Sequence, residues 1–187
     1  MQRATAPIEP MRLSRSTVDT PIGPMLALAS EAALCALEFF SPDRLPRLEA
    51  RLDRWFAPYQ VEDRSNVVVD RARNWLRLYF GGASADVGQI ALDLRGAPFE
   101  RRVWAALTAI PPGETTTYGT VARRVGSDGA SRAVGLANGA NPIAIVVPCH
   151  RVIGANGTLT GYGGGLDRKR WLLDHELRWR GEFTLRP

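Results

Sequence analysis

Cys149 is the residue in this chain best placed to do chemistry, because Pro148-Cys149-His150-Arg151 sets a base and a permanent cation directly beside a thiol. At its ordinary pKa of about 8.5 a thiol is a poor nucleophile at neutral pH, and a neighbouring base, cation or helix N-terminus brings the thiolate into range. The bland alternative is a buried small hydrophobe, the usual fate of an intracellular cysteine. Two histidines compete for the role of base, His150 and His175. His175 adjoins Glu176 in sequence, but adjacent residues on a helix do not face each other, so His150 is preferred. Read by itself, Glu176 is a surface residue of a helix.

The elements that must hold these groups follow from periodicity. Ile143 to Val147 is a five-residue apolar run, four of them β-branched, which predicts a buried strand ended by Pro148. Asn141 precedes Pro142, and its side chain can tie the preceding turn to the backbone near Cys149. Upstream, Thr117 to Gly126 reads as a short helix and 130–140 as a second, small-residue helix; helix, glycine turn and helix is the pattern of a helix-turn-helix. The second helix carries one long side chain, Arg132, among alanines and glycines, with Ser131 and Ala133 beside it. A reader of the major groove would present several long polar side chains, so close approach with a single arginine suits the minor groove. Tight packing between helices would explain the small residues equally well, but not Arg132. Pro98 to Ile110 is an amphipathic helix that opens this region, and a last helix runs to about Trp179, capped by Asp167.

The N-terminal part shows no comparable chemistry. Residues 1–15 have no periodicity and are expected to form a frayed tail. Thr17 to Ala29 predicts two strands joined by a Pro/Gly turn and Ala33 to Phe40 a third, together a small antiparallel meander, with Cys35 in its core. Helices are expected over Pro46 to Phe56 and Asn66 to Phe80, then a strand or extended linker around Gln89 to Leu94. The expected domain division is 1–92, an α/β domain, and 93–187, a mostly α domain that holds Cys149.

Composition narrows the class. The 187 residues are 45% hydrophobic, enough for a packed core, and no apolar run approaches the ~20 residues that cross a bilayer. The first ten residues lack the apolar stretch of a secretory signal, so a cytoplasmic protein is expected. Two cysteines cannot build a disulfide framework or a zinc site, and no metal or organic cofactor is expected. Residues 1–95 hold 12 basic and 12 acidic side chains, so the whole net charge of +5 lies in 96–187. Any polyanion-binding surface is thus expected in the part that holds Cys149.

Pro148-Cys149-His150-Arg151-Val152-Ile153-Gly154, preceded by Asn141-Pro142 and followed by Gly161-Tyr162-Gly163-Gly164-Gly165-Leu166, resembles the active-site signature of the alkylguanine-DNA alkyltransferases. The likeness runs in order from about Asp93 to Glu176, and more weakly back to Thr20-Pro21-Ile22-Gly23-Pro24. It implies a ribonuclease-H-like N-terminal domain, a winged-helix type of C-terminal domain, and double-stranded DNA containing alkylated guanine as the partner of a monomer. Both single and cooperative loading along DNA are compatible with this reading. The implied reaction moves an alkyl group from O6 of a flipped-out guanine, with O4-alkylthymine as a second candidate, irreversibly to Cys149. Glu176 then becomes the third member of a relay through His150, with water between His150 and the thiol. Tyr118 faces the base, the Cys149 and Val152 carbonyls accept from its amine, and Tyr162, Gly163 and Gly164 cover it. Arg132 fills the gap left in the stack; Lys169, the chain's only lysine, closes the site or supports the leaving oxygen, and Arg151 lies with Ser131, Arg132 and Ala133 on the DNA face. Gly163 and Asn138 are mild departures from the pattern, bearing on adduct size. Competing readings are a cysteine hydrolase and a non-catalytic sensor of alkylated DNA or winged-helix regulator; the presence of Cys149 disfavours the sensor.

Overall fold

In a computed structural model, which describes residues 9–83 and 87–179, the chain begins with an open four-stranded sheet. β1 (Met11–Val18), β2 (Met25–Ala29) and β3 (Leu34–Phe39) form the expected antiparallel meander. β1 starts at Met11, so the expected tail is wrong over residues 11–15: Leu13 is fully buried and Ser14 nearly so. Alternation of buried and exposed positions there is too short-ranged to stand out beside the polar residues around it. A fourth strand, β4 (Tyr59–Asp63), escaped the sequence reading; it pairs parallel to β1 and gives the order β3-β2-β1-β4. Its sequence, YQVED, has no apolar period because it is an edge strand with one largely exposed face.

α1 (Arg44–Trp55) covers one face of the sheet, where Leu48, Leu52 and Phe56 meet Leu13, Leu28 and Cys35. α2 (Val67–Phe80) covers the other, with Val69, Ala72 and Leu76 against Met25, Ala27 and Leu37. Successive β2 side chains therefore belong to opposite cores, as a doubly covered strand requires. Asn66 caps α2: its Oδ1 accepts from the backbone N–H of Val68 (3.1 Å) and Val69 (3.0 Å), while its Nδ2 donates to Ser30 O in the β2–β3 turn (2.9 Å).

Around 89–94 there is a 3₁₀ turn (Val87–Gln89) and then a single bridge from Leu92 to Leu34, so the expected strand is reduced to an extended connection. The helical part comprises α3 (Pro98–Thr108), α4 (Tyr118–Arg124), α5 (Ser131–Gly139) and α6 (Leu166–Trp179). Two short strands, β5 (Thr116–Thr117) and β6 (Val152–Ile153), pair in parallel. Asp167 lies inside the first turn of α6 and not at its cap. Trp104 of α3 is fully buried and its indole N–H donates to Ala137 O (2.8 Å), which seats α5. One continuous core joins Leu37 and Phe39 of the sheet to Trp104, Val134, Val147 and Leu172.

Asn66→Ala removes two cap bonds and the tether to Ser30. The expected cost is about 1–2 kcal/mol of folding free energy, read as a lower urea midpoint at unchanged slope. A midpoint equal to that of the parent protein would show that the cap does not bear on stability.

Candidate active site

The segment expected to be a strand is a tight turn. Ile143 to Val147 are all buried, but Val147 N–H bonds back to Ile143 O (3.0 Å) and Ile145 has φ +70°. A buried apolar run has no period to tell a strand from a coiled-up turn, and a β-branched residue in the left-handed region is not what propensity suggests. The turn is fixed from two sides. Its backbone bonds to Leu37 at the edge of β3, through Leu37 N–H to Pro142 O (2.9 Å) and Ala144 N–H to Leu37 O (2.8 Å). Asn141, 2% exposed, accepts from Ile143 N–H (3.0 Å) and donates to Val147 O (2.8 Å).

The chain then passes through Pro148 into a single 3₁₀ turn, Cys149–Arg151. Cys149 is 5% exposed, and His150 and Glu176 are fully buried. His150 Nε2 lies 2.8 Å from Glu176 Oε1, and Nδ1 has no protein partner among the described residues. Nε2–H donating to the carboxylate leaves Nδ1 as the acceptor, the tautomer a general base requires.

Arg151 is not on the DNA face. It is 6% exposed, its Nε and Nη2 donate to Glu176 at 3.0 and 2.8 Å, and its Nη1 donates to Ile110 O. The arginine expected on the DNA face instead supplies the countercharge of the buried carboxylate. Two further donors to Glu176 were missed from the sequence: Tyr79 Oη–H on α2 (2.7 Å to Oε1) and Gly113 N–H (3.0 Å to Oε2). Nothing in the local sequence of either connects it to a residue 97 or 63 positions away.

These contacts set the protonation states. Burial opposes a charge on Glu176, but hydrogen bonds from His150 and Arg151 outweigh it and hold the carboxyl well below its usual range. Burial depresses His150 below the ordinary histidine value, with Glu176 pulling the other way, so the ring is neutral near pH 7. Burial pushes the Cys149 thiol up to about 11, opposed by a hydrogen bond from Asn141. The resting site is therefore thiol, neutral imidazole and carboxylate, and a preformed thiolate is not its ground state.

Lys169 is fully buried on α6, and its Nζ donates to Val152 O (2.6 Å), Thr160 O (2.7 Å) and Gly161 O (3.4 Å). Burial pulls it down to about 8, which still leaves it charged at neutral pH. Of its two expected roles, the geometry matches closing the site: all three hydrogens are spent on carbonyls of β6 and the following loop. Tyr118, half-buried at the start of α4, donates to Thr160 O of that loop (3.2 Å). Asn138 of α5 donates to Cys149 O (3.2 Å). Of the carbonyls expected to receive the base amine, Cys149 O thus already accepts from Asn138 and from the Val152 N–H, and Val152 O from Lys169.

Gly163 and Gly164 owe their identity to close packing as well: a Cβ would lie 2.5 Å from the Arg44 guanidinium at the first and 2.7 Å from the Tyr162 ring at the second. Tyr162 is half-buried with its hydroxyl buried and without a hydrogen-bond partner among the described residues, its ring edge-on to His150 at 6.4 Å. Tyr118, Asn138, Asn141, Tyr162, Gly163 and Arg132 line one cavity of about 730 Å³. Ser131, Arg132 and Ala133 lie together at the start of α5, the latter two exposed. Leu136, one turn after Arg132, is 78% exposed, an apolar group on the same face that the sequence reading passed over. His175 points elsewhere, stacked on Trp171 at 4.7 Å with Nε2 2.9 Å from Tyr79 O. Among the described residues no group of His, Cys, Asp and Glu could hold a metal ion.

A sheet-backed helical scaffold that carries a cysteine next in sequence to a buried histidine–carboxylate pair defines a candidate site for thiol chemistry. Residues 98–178 match the family described as 6-O-methylguanine DNA methyltransferase, DNA binding domain. The chain is 48% identical over 163 residues, 87% of its length, to the methylated-DNA–protein-cysteine methyltransferase of Mycolicibacterium paratuberculosis, covering 91% of that protein. It is 45% identical to the same enzyme of Salmonella typhimurium, over 89% and 96% of the two chains. The crystal structure of Mycobacterium tuberculosis OGT in complex with DNA superposes with a TM-score of 0.74 at 43% identity, over 90% of this chain and 94% of that one. The chain belongs to the methylated-DNA–protein-cysteine methyltransferase family.

Two measurements check the electrostatics. Glu176→Gln leaves Arg151 buried without its countercharge, so a loss of about 3–5 kcal/mol in unfolding free energy is expected, against a loss under about 1 if the pair does not matter. Alkylation of Cys149 by iodoacetamide in the free protein should accelerate about tenfold per pH unit from pH 7 to 9, because only the thiolate reacts. A rate already flat above pH 7 would mean that the thiolate is preformed.

Proposed function

We propose that this protein repairs alkylated DNA by moving the alkyl group of O6-alkylguanine to Sγ of its own Cys149, once per molecule. The observation that carries the reading is the 2.8 Å contact between fully buried His150 and Glu176 on the turn that bears Cys149. Family membership supplies the substrate class. The M. tuberculosis relative solved with DNA supports duplex DNA as the partner.

A base inside a duplex must leave the stack before its edge can be attacked, at a cost of a few kcal/mol. In this proposal α5 lies in the minor groove, Arg132 enters the stack, and the guanine enters the cavity between Tyr118 and the Tyr162-Gly163-Gly164 segment. Its exocyclic amine shares the Cys149 and Val152 carbonyls with Asn138 and Lys169. His150 Nδ1, through a water, takes the thiol proton as Sγ attacks the alkyl carbon. The C–O bond breaks, its electron pair stays on the guanine, and Tyr118 hydrogen-bonds the ring nitrogen. Glu176 stabilises the imidazolium that forms, while Arg151, a cation that itself opposes that charge, holds the carboxylate ionised and in place. A thioether does not hydrolyse readily, so the protein is consumed. O4-alkylthymine is the second candidate lesion.

On this reading residues 93–187 form a winged-helix-like domain that binds DNA and reacts, while 1–92, ribonuclease-H-like, support it. The sheet order β3-β2-β1-β4 with parallel β4 and the β5–β6 pair beside the two helices favour those descriptions. The protein acts as a monomer in the cytoplasm, where its thiols stay reduced.

Mixing the protein with one equivalent of duplex containing a single O6-methylguanine should add one CH₂ unit to the Cys149 peptide, stopping at one equivalent and absent in Cys149→Ser. Tight binding without a mass gain would make the protein a sensor of damage and remove the roles given to His150 and Glu176.

A further inference from the structure

The cavity that takes the base is walled on one side by the N-terminal part of the chain. Arg44, Arg47 and Arg51 of α1 line it together with Arg132 of α5. Their spacing, three and then four residues, places all three on one face of α1. The outer two are fixed at the C-terminal end of α5: Arg44 Nη1 donates to Gly139 O (3.0 Å) and Arg51 Nη1 to Ala140 O (3.4 Å). Arg44 also pairs with buried Glu38, and Arg51 donates to Arg95 O and lies 4.8 Å from the Trp104 ring centroid. Both are thereby committed to structure. Arg47, between them, is exposed and makes no hydrogen bond or ion pair with the described residues.

We infer that Arg47 binds a DNA backbone phosphate, so that the N-terminal part of the chain grips the duplex directly beside the C-terminal end of α5. The inference rests on the function proposed above. A helix C-terminus carries a partial negative charge that would repel a phosphate, and the two guanidiniums on Gly139 and Ala140 cancel it there. With that end neutralised, a third guanidinium presented beside it meets the backbone without competition. α5 is about 14 Å long, so a duplex seated along it runs past both ends, and Arg132 serves one end while Arg47 serves the other. Glu38, the acidic side chain lining this wall, is already paired with Arg44.

The test measures binding of an O6-methylguanine duplex by fluorescence anisotropy between 50 and 200 mM salt, with every variant built on Cys149→Ser to prevent reaction. Arg47→Ala should weaken binding about three- to tenfold at the low end and reduce the slope of log affinity against log salt by about 0.9, one phosphate contact. Arg47→Lys should recover most of both. Arg54→Ala removes the same charge from the last turn of α1, over Trp55 and outside the cavity, and should change neither. An Arg47→Ala protein that binds like Arg54→Ala, or that loses affinity at an unchanged slope, overturns the inference. Failure of the parent protein to gain mass at Cys149 would remove the underlying function instead, an outcome read separately.

Discussion

The structure turns on one buried carboxylate. Glu176 sits at zero exposure on α6 and receives donors from four other places in the chain: Tyr79 on α2, the Gly113 backbone after α3, and His150 and Arg151 on the turn that carries the nucleophile. An isolated carboxylate there would be prohibitively unfavourable, so the donors are conditions for its existence in ionised form. Because they come from distant segments, satisfying this one group draws those segments together, and the relay geometry is a by-product of the same requirement.

The nucleophile itself is held by backbone as much as by side chains. The turn 143–147 hangs on the edge of β3 through Leu37 and is braced internally by Asn141, so the sheet reaches the reactive sulfur through a few hydrogen bonds. Lys169 performs the matching service opposite, binding β6 and the loop at 160–161 with all three of its hydrogens. Burying a single lysine for that purpose is costly, and its lowered pKa records the cost. The cysteine turn and the cavity wall are thus both held by buried hydrogen bonds, which fixes their relative placement.

Much of this was legible in the residues. Helical periods located α1, α2, α3 and α5 to within two residues, and Pro148-Cys149-His150-Arg151 pointed at the chemistry. Where the reading failed, the cause was physical. β4 is an edge strand whose polar residues carry no period, and its parallel partner lies some 45 residues earlier. The run 143–147 is apolar in either conformation, and only tertiary contacts with Leu37 and Asn141 decide for the turn. Arg151 was expected on the DNA face because nothing in the local sequence points to an acidic partner; its true partner is 25 positions on. Tyr79 was invisible for the same reason, since a tyrosine in a helix that packs on a sheet is core by default and its hydroxyl has no local signal.

One core runs without a seam from β2 and β3 through α3 to α6. The two parts of the chain are therefore coupled through that shared core. A reactive half grafted onto another protein would arrive without Tyr79 to complete the carboxylate's shell, without Leu37 to suspend the cysteine turn, and without Arg44 and Arg51 to neutralise the end of α5. A change in the N-terminal part that moves any of these few groups therefore reaches the site through them, at a distance from the cysteine itself.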